Sequence, residues 1–269
     1  MKSLFQYFGG KSNQLNDIYR IIGNHLRSFD FIVDVFGGSG KVLLNIPDEW
    51  KKKKVYNDLN DDLYATFKVL QDVDKCKILE EKLKRAFLHE KIFTEMKNTM
   101  YDNDIDTAFK VFYLHNNSFM GTGDAFGRRF QYHMESKYAI ENFICVKDWI
   151  VEHQDFRELM RIYAKPKVLF YLDPPYLTSG TQYEHSFTNE DLKDLGKLMN
   201  DHPGSYLLNL SLFDHGMEDI FGKPDRIINY TNPLVTRSSD ILKTWQCGYW
   251  WKFGNKKTIT YSYDQDVLF

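Results

Sequence analysis

Several things are scarce in this chain, and each scarcity excludes a class. Three cysteines, Cys76, Cys145 and Cys247, stand far apart in 269 residues. Odd in number and without a C-x-x-C pair, they make neither a disulfide framework nor a zinc site, which fits a reducing compartment. Eight histidines offer no H-x-x-x-H spacing beside an acid, so no metal is expected. The formal net charge is only −2, so no global basic field announces a nucleic-acid partner, and any such contact must rest on local patches. No apolar run approaches the ~18 residues of a membrane span. The opening MKSLFQYFGGKS is too poor in apolar residues for a signal peptide, so a cytoplasmic protein with no membrane partner is expected. Internal repeats and low-complexity linkers are also missing.

What the chain has is core. Hydrophobic residues make up 43% and aromatics 16%, enough for one large α/β domain or a core domain with an insertion. The stretch Phe170–Tyr176, FYLDPPY, carries the most chemistry. Leu169–Leu172 is a short apolar run of the buried-strand kind, and Asp173 arrives at its end. Pro174 and Pro175 have fixed φ and no N–H, so the chain must leave the sheet in a rigid turn. The carboxyl end of a strand is where open α/β sheets hold ligands. The carboxylate, the free carbonyls and the ring of Tyr176 together suit a planar group bearing an NH2.

Other segments join this one. Tyr7 to Lys11, with Gly9 and Gly10 between, precedes a helical pattern at Leu15, Ile18, Tyr19, Ile22 and Leu26. Phe31-Ile32-Val33 reads as a buried strand ending at Asp34, followed by Phe36 and the loop Gly37-Gly38-Ser39-Gly40 and then a helix. Strand, glycine turn and helix is a nucleotide-binding arrangement, although G-x-G-x-x-G and a Walker pair are both absent. Lys54-Val55-Tyr56 is the next strand, and Asp58 lies just beyond it. An acid about 20 residues past such a loop is placed to accept from ribose hydroxyls. From Asp62 to Met100 the pattern is helical and laced with charge. His115–Met134 then turns polar, glycine-bearing and aromatic, with Arg128 and Arg129 among rings, as phosphate contact with base stacking requires. Ile144-Cys145-Val146 reads as a strand. Asp155 stands where it could cap the helix that follows or meet a ligand. Tyr206–Leu210, Ile227-Ile228, Trp250-Trp251 and Thr258–Tyr263 read as later strands.

Opening motif, glycine loop, acid and DPPY, in that order, resemble the Dam-like (D12 type, class alpha) S-adenosylmethionine-dependent DNA adenine-N6 methyltransferases over most of the chain. The resemblance implies a mostly parallel, doubly wound, Rossmann-like methyltransferase sheet with an inserted, mainly helical DNA-recognition domain. Residues 1–61 and 151–269 would form the catalytic domain and 62–150 the insertion. It further implies S-adenosylmethionine as cofactor, held by Tyr7, Lys11, Asp34, Phe36, Gly37, Gly40, Asp58, Asp155, Phe156 and Asp173. The implied catalytic motif is Asp173, Pro174, Pro175 and Tyr176, acting on an adenine flipped out of DNA. Asn117, Arg128 and Arg129 are the candidates for DNA contact, in a monomer or weak dimer. The stretch GTGDAFGRRF is shorter and less basic than the hairpin of GATC-reading members, so no recognition sequence is carried over. Rival readings are a cytosine-N4, RNA-base or protein-glutamine methyltransferase, or a non-catalytic DNA-binding relative. Asp173 favours adenine, because glutamine enzymes favour Asn at that position and cytosine-N4 enzymes Ser.

Overall fold

The structure is a computed structural model, and it describes residues 2–127, 146–175, 187–212, 217–231 and 244–254. Strands β1 (Phe31–Asp34) and β4 (Val168–Leu172) lack polar alternation, and every residue of β4 is buried. Such strands need cover on both faces, which a parallel sheet between helical layers supplies. β1 pairs in parallel with β4 and with β2 (Lys53–Asn57), β2 with β3 (Ile150–Glu152), and β4 with β5 (Ser205–Ser211). β7 (Thr244–Lys252) runs antiparallel between β5 and β6 (Arg226–Thr231). Among the described residues the sheet therefore has seven strands in the order β3-β2-β1-β4-β5-β7-β6. It is the mixed, mostly parallel, Rossmann-like sheet expected from the sequence. The carboxyl ends of β1 to β5 share one edge, and the site lies along it.

One face is covered by α1 (Leu15–Gly23), α2 (Lys41–Leu44), α3 (Asp61–Leu70), α4 (Val73–Lys84) and α6 (Asp104–Asn116). Ile22, Leu43, Phe67, Leu79 and Phe112 from these helices meet Ile32, Leu169 and Leu207 of the strands in one core. The helices between β2 and β3 thus begin inside the sheet's own layer. Among the described residues α5 (Glu90–Lys97) stands outside it, packing Phe93 and Met96 on Tyr113 and Leu114 of α6. The opposite face is covered by α7 (Phe156–Ile162), α8 (Asn189–Asp201) and α9 (Met217–Phe221) through Leu159, Leu195 and Met217. Local signals set the helix starts. Asn60 and Asp72 accept from backbone amides at the starts of α3 and α4, and Thr188 forms a reciprocal capping box with Asp191 on α8.

Three expectations need comment. The third strand is Ile150–Glu152; Val146 lies in a turn, while Cys145 falls outside the described residues. β3 is a three-residue edge strand that is not fully buried, so no apolar run marks it. The first helix stops at Gly23, and Leu26 opens a short 3-10 turn. Thr258–Tyr263 lies outside the described residues.

Candidate active site

The loop after β1 has to be glycine for reasons of space. A Cβ on Gly37 would stand 2.3 Å from the Tyr56 ring and 2.9 Å from the Asn57 carbonyl. Gly40 has φ +66°, and a Cβ there would meet Phe67 at 2.8 Å. Asp58 is bound into the same turn. Its Oδ2 accepts from the Gly38 amide at 2.8 Å and its Oδ1 from the Asn60 amide at 2.9 Å. The Tyr56 hydroxyl donates to the Gly38 carbonyl at 2.8 Å. From the other side the Tyr7 ring closes on Gly38, where a Cβ would approach it to 3.0 Å. The opening segment, the loop and the acid after β2 therefore form one wall.

The centre of the site is charged and nearly dry. Lys11 Nζ lies 2.8 Å from Asp173 Oδ1, with side-chain exposures of 6% and 17%. Burial raises the Asp173 pKa, and the ammonium of Lys11 works against that rise. Asp34, at the end of β1, is 2% exposed and its Oδ1 has no hydrogen-bond partner among the described residues. Burial first, then the charges of Asp173 and Asp58, push its pKa well above the carboxylate range. A buried acceptor left open between two other acids is a place for a cationic group.

Lys11 is held from behind. Gln14, three residues on, donates from Nε2 to Cys247 Sγ at 3.4 Å and accepts from Asn209 Nδ2 at Oε1. All three side chains are buried, so the far strands β5 and β7 fix the opening segment.

The other end of the cleft is aromatic. Phe36 lies 5.7 Å from both Phe156 and Phe187, and those two are 5.8 Å apart. Asp155 caps α7 by accepting from the Arg157 amide at 2.9 Å. Arg157 spans three acids: Nη1 to Asp155 at 3.3 Å, Nε to Asp194 at 2.8 Å, and Nη2 to Asp191. Its guanidinium also covers the Phe156 ring at 4.4 Å. Burial opposes its charge, but the bonds to Asp191 and Asp194 hold its pKa above the ordinary value. Asn57 ties the strand ends together, donating to the Val35 and Gln154 carbonyls and accepting from the Gln154 amide. Together these groups bound a cleft of about 400 Å³, a size suited to a small-molecule ligand.

Tyr7, Lys11, Asp34, Phe36, Gly37, Asp58, Asp155, Phe156, Asp173, Pro174 and Pro175 all line this cleft. Gly40 sits behind them, at the turn into α2. Asn117 does not line it. Its Nδ2 donates to the Tyr113 carbonyl at 2.8 Å, and its own carbonyl accepts from the Gly127 amide at 2.7 Å, so it closes α6. Tyr176, Arg128 and Arg129 lie outside the described residues. Sequence reasoning missed Phe187, Asn57, Lys41 and His115, which also line the cleft. Asn57 has a signal, standing next to Asp58 at a strand end. His115 has none: its ring packs on Phe5 and Tyr7, and Nδ1 faces the Gly121 carbonyl at 2.8 Å. A carbonyl only accepts, so Nδ1 carries the hydrogen, and burial keeps the ring neutral.

Among the described residues no cluster of His, Cys, Asp and Glu is arranged to hold a metal, and no helix is long and apolar enough to cross a membrane. Across known proteins, this chain is 23% identical over 201 residues to the Type II methyltransferase M.CviBI of Paramecium bursaria Chlorella virus NC1A. That alignment covers 71% of this chain and 75% of the viral protein. Residues 7–202, from Tyr7 of the opening motif to the end of α8, match the D12 class N6 adenine-specific DNA methyltransferases. The matched span contains the glycine loop, both strand-end acids and the DPP turn, and the chain belongs to that family of DNA methyltransferases.

Proposed function

We propose that this protein transfers a methyl group from S-adenosylmethionine to the N6 amino group of an adenine turned out of DNA. The observation that carries the reading is the buried Lys11–Asp173 pair, which shares one cleft with the open Asp34 oxygen and the glycine wall. The residues present suit this cofactor. The Phe36, Phe156 and Phe187 rings would hold its adenine, Asp58 its ribose hydroxyls, and Asp34 Oδ1 its ammonium. When bound, it supplies a methyl group on a sulfonium.

The protein's part is to make a poor nucleophile usable. An adenine amino nitrogen has its lone pair drawn into the ring. The Asp173 carboxylate and the Pro174 carbonyl would each accept one amino hydrogen, turning the lone pair out of the ring plane. The proline turn fixes both acceptors, and positioning of this kind supplies most of the rate. The nitrogen sheds one hydrogen as a proton, and Asp173, whose pKa burial raises, is suited to receive it. Tyr176 would stack on the base. Within residues 62–150, Asn117, Arg128 and Arg129 would meet the DNA.

The test incubates methyl-labelled cofactor with mixed-sequence DNA, followed by nucleoside mass spectrometry. N6-methyladenine from wild type is expected. Asp173→Ala should lose about 100- to 1,000-fold in turnover, with S-adenosylhomocysteine affinity kept within a factor of a few. Retained turnover in that variant removes the mechanism. Label on cytosine overturns the substrate, and no label on DNA overturns the assignment to DNA.

A further inference from the structure

Among the described residues four lysines line the cleft, and three of them are already neutralised. Lys11 pairs with Asp173 at 2.8 Å, Lys97 with Asp124 at 3.1 Å and Lys110 with Asp62 at 3.1 Å. Lys41 is different. Among the described residues no carboxylate lies within ion-pair distance of its amine, which instead donates to the Ser12 hydroxyl at 2.8 Å. Partial burial pulls its pKa below the usual lysine value, as expected for a cation short of counter-charge. It stands directly after Gly40, and its amine is 3.5 Å from where a Gly10 Cβ would be. That is the opening-motif and glycine-loop end of the cleft, whose lining also includes Asp34.

Resting on the reading of the cleft as a cofactor site, we propose that Lys41 binds the α-carboxylate of the methionine end of S-adenosylmethionine, with Ser12 steering its amine. A zwitterionic amino acid needs one buried acceptor and one cation in the same small space. Asp34 offers the first and Lys41 the second. A DNA phosphate has the same anionic chemistry. The pairing with Asp34 favours the amino-acid end, because a phosphate gains nothing from an adjacent acid.

The experiment is calorimetric titration, without DNA, of the full chain with two compounds. S-adenosylhomocysteine has the amino-acid end, whereas 5′-methylthioadenosine keeps the nucleoside and thioether but lacks it. Lys41→Met should weaken S-adenosylhomocysteine about 10- to 100-fold, the range for a hydrogen bond to a charged group. Binding of 5′-methylthioadenosine should not change, which also shows that the variant is folded. Ser12→Ala should give a smaller loss in the same direction. Equal losses for both compounds, or no loss for either, overturn the proposal. So does intact S-adenosylhomocysteine binding with a raised, salt-dependent KM for DNA, which would assign Lys41 to a phosphate. A wild-type chain that binds neither compound overturns the cofactor reading itself, a result distinct from all of these.

Discussion

At the scale of single residues, the site turns on how charge is kept in a dry place. In the proposed reaction Asp173 has to be ionised to accept an amino hydrogen, and burial works against that while Lys11 favours it. Lys11→Met should therefore raise the Asp173 pKa further. The acid limb of the kcat profile should move to higher pH, and activity at a fixed pH on that limb should fall about tenfold for each pH unit the limb moves. An unmoved limb with uniformly lower kcat would show that Lys11 serves another purpose. Gly37 is as constrained as the acids. Gly37→Ala drives a methyl group into the Tyr56 ring, and strain of this kind typically costs about 1–3 kcal/mol. A lowered Tm with lost cofactor binding is expected; an unchanged melt would mean that the loop can move away. These residues were legible in the sequence because rigid turns and glycine loops leave marks in the chain itself. Phe187 and Lys41 left none, since an isolated ring or amine takes its role only from what the fold places opposite it.

Among the elements, α7 and α8 are joined at their amino ends by the fork of Arg157. The same guanidinium orients Asp155 and covers Phe156 on one helix while holding Asp191 and Asp194 of the other. Lysine offers a point charge and no fork, so both Arg157→Met and Arg157→Lys should loosen the aromatic end of the cleft. A KM for S-adenosylmethionine raised about 5- to 10-fold, as loss of roughly 1 kcal/mol implies, is expected with kcat nearly kept. A drop confined to kcat would place the effect elsewhere. The strands that position the chemistry were legible, because β1 and β4 are continuous apolar runs ending in an acid. β3 was not, since a short edge strand is held by backbone pairing to β2 and carries no pattern of its own.

For the molecule as a whole, stability should depend on pH through His202 at the end of α8. It is 3% exposed, its ring lies 4.2 Å from that of Phe170, and burial pushes its pKa down to about 4. The unfolded chain takes up this proton near pH 6.5, whereas the folded chain resists it until about 4. Stability is thus fully present above 6.5 and declines as pH falls toward 4, by at most about 3 kcal/mol. Denaturant titrations of wild type and His202→Gln should show a smaller decline in the variant; parallel curves would assign the acid sensitivity to other groups. The order of segments along the chain was readable, but the long-range fastening of the opening segment was not, because nothing local to Gln14 names its partners. That fastening has a consequence in time. Gln14, the neighbour of Lys11, leaves the ribosome 233 residues before its partner Cys247 in the strand that grips it. At roughly 5–20 residues per second, the cleft waits on the order of ten seconds or more for its final brace. A growing chain should be unable to hold cofactor until β7 has emerged, and cofactor added to stalled chains ending before β7 should give them no protection from protease.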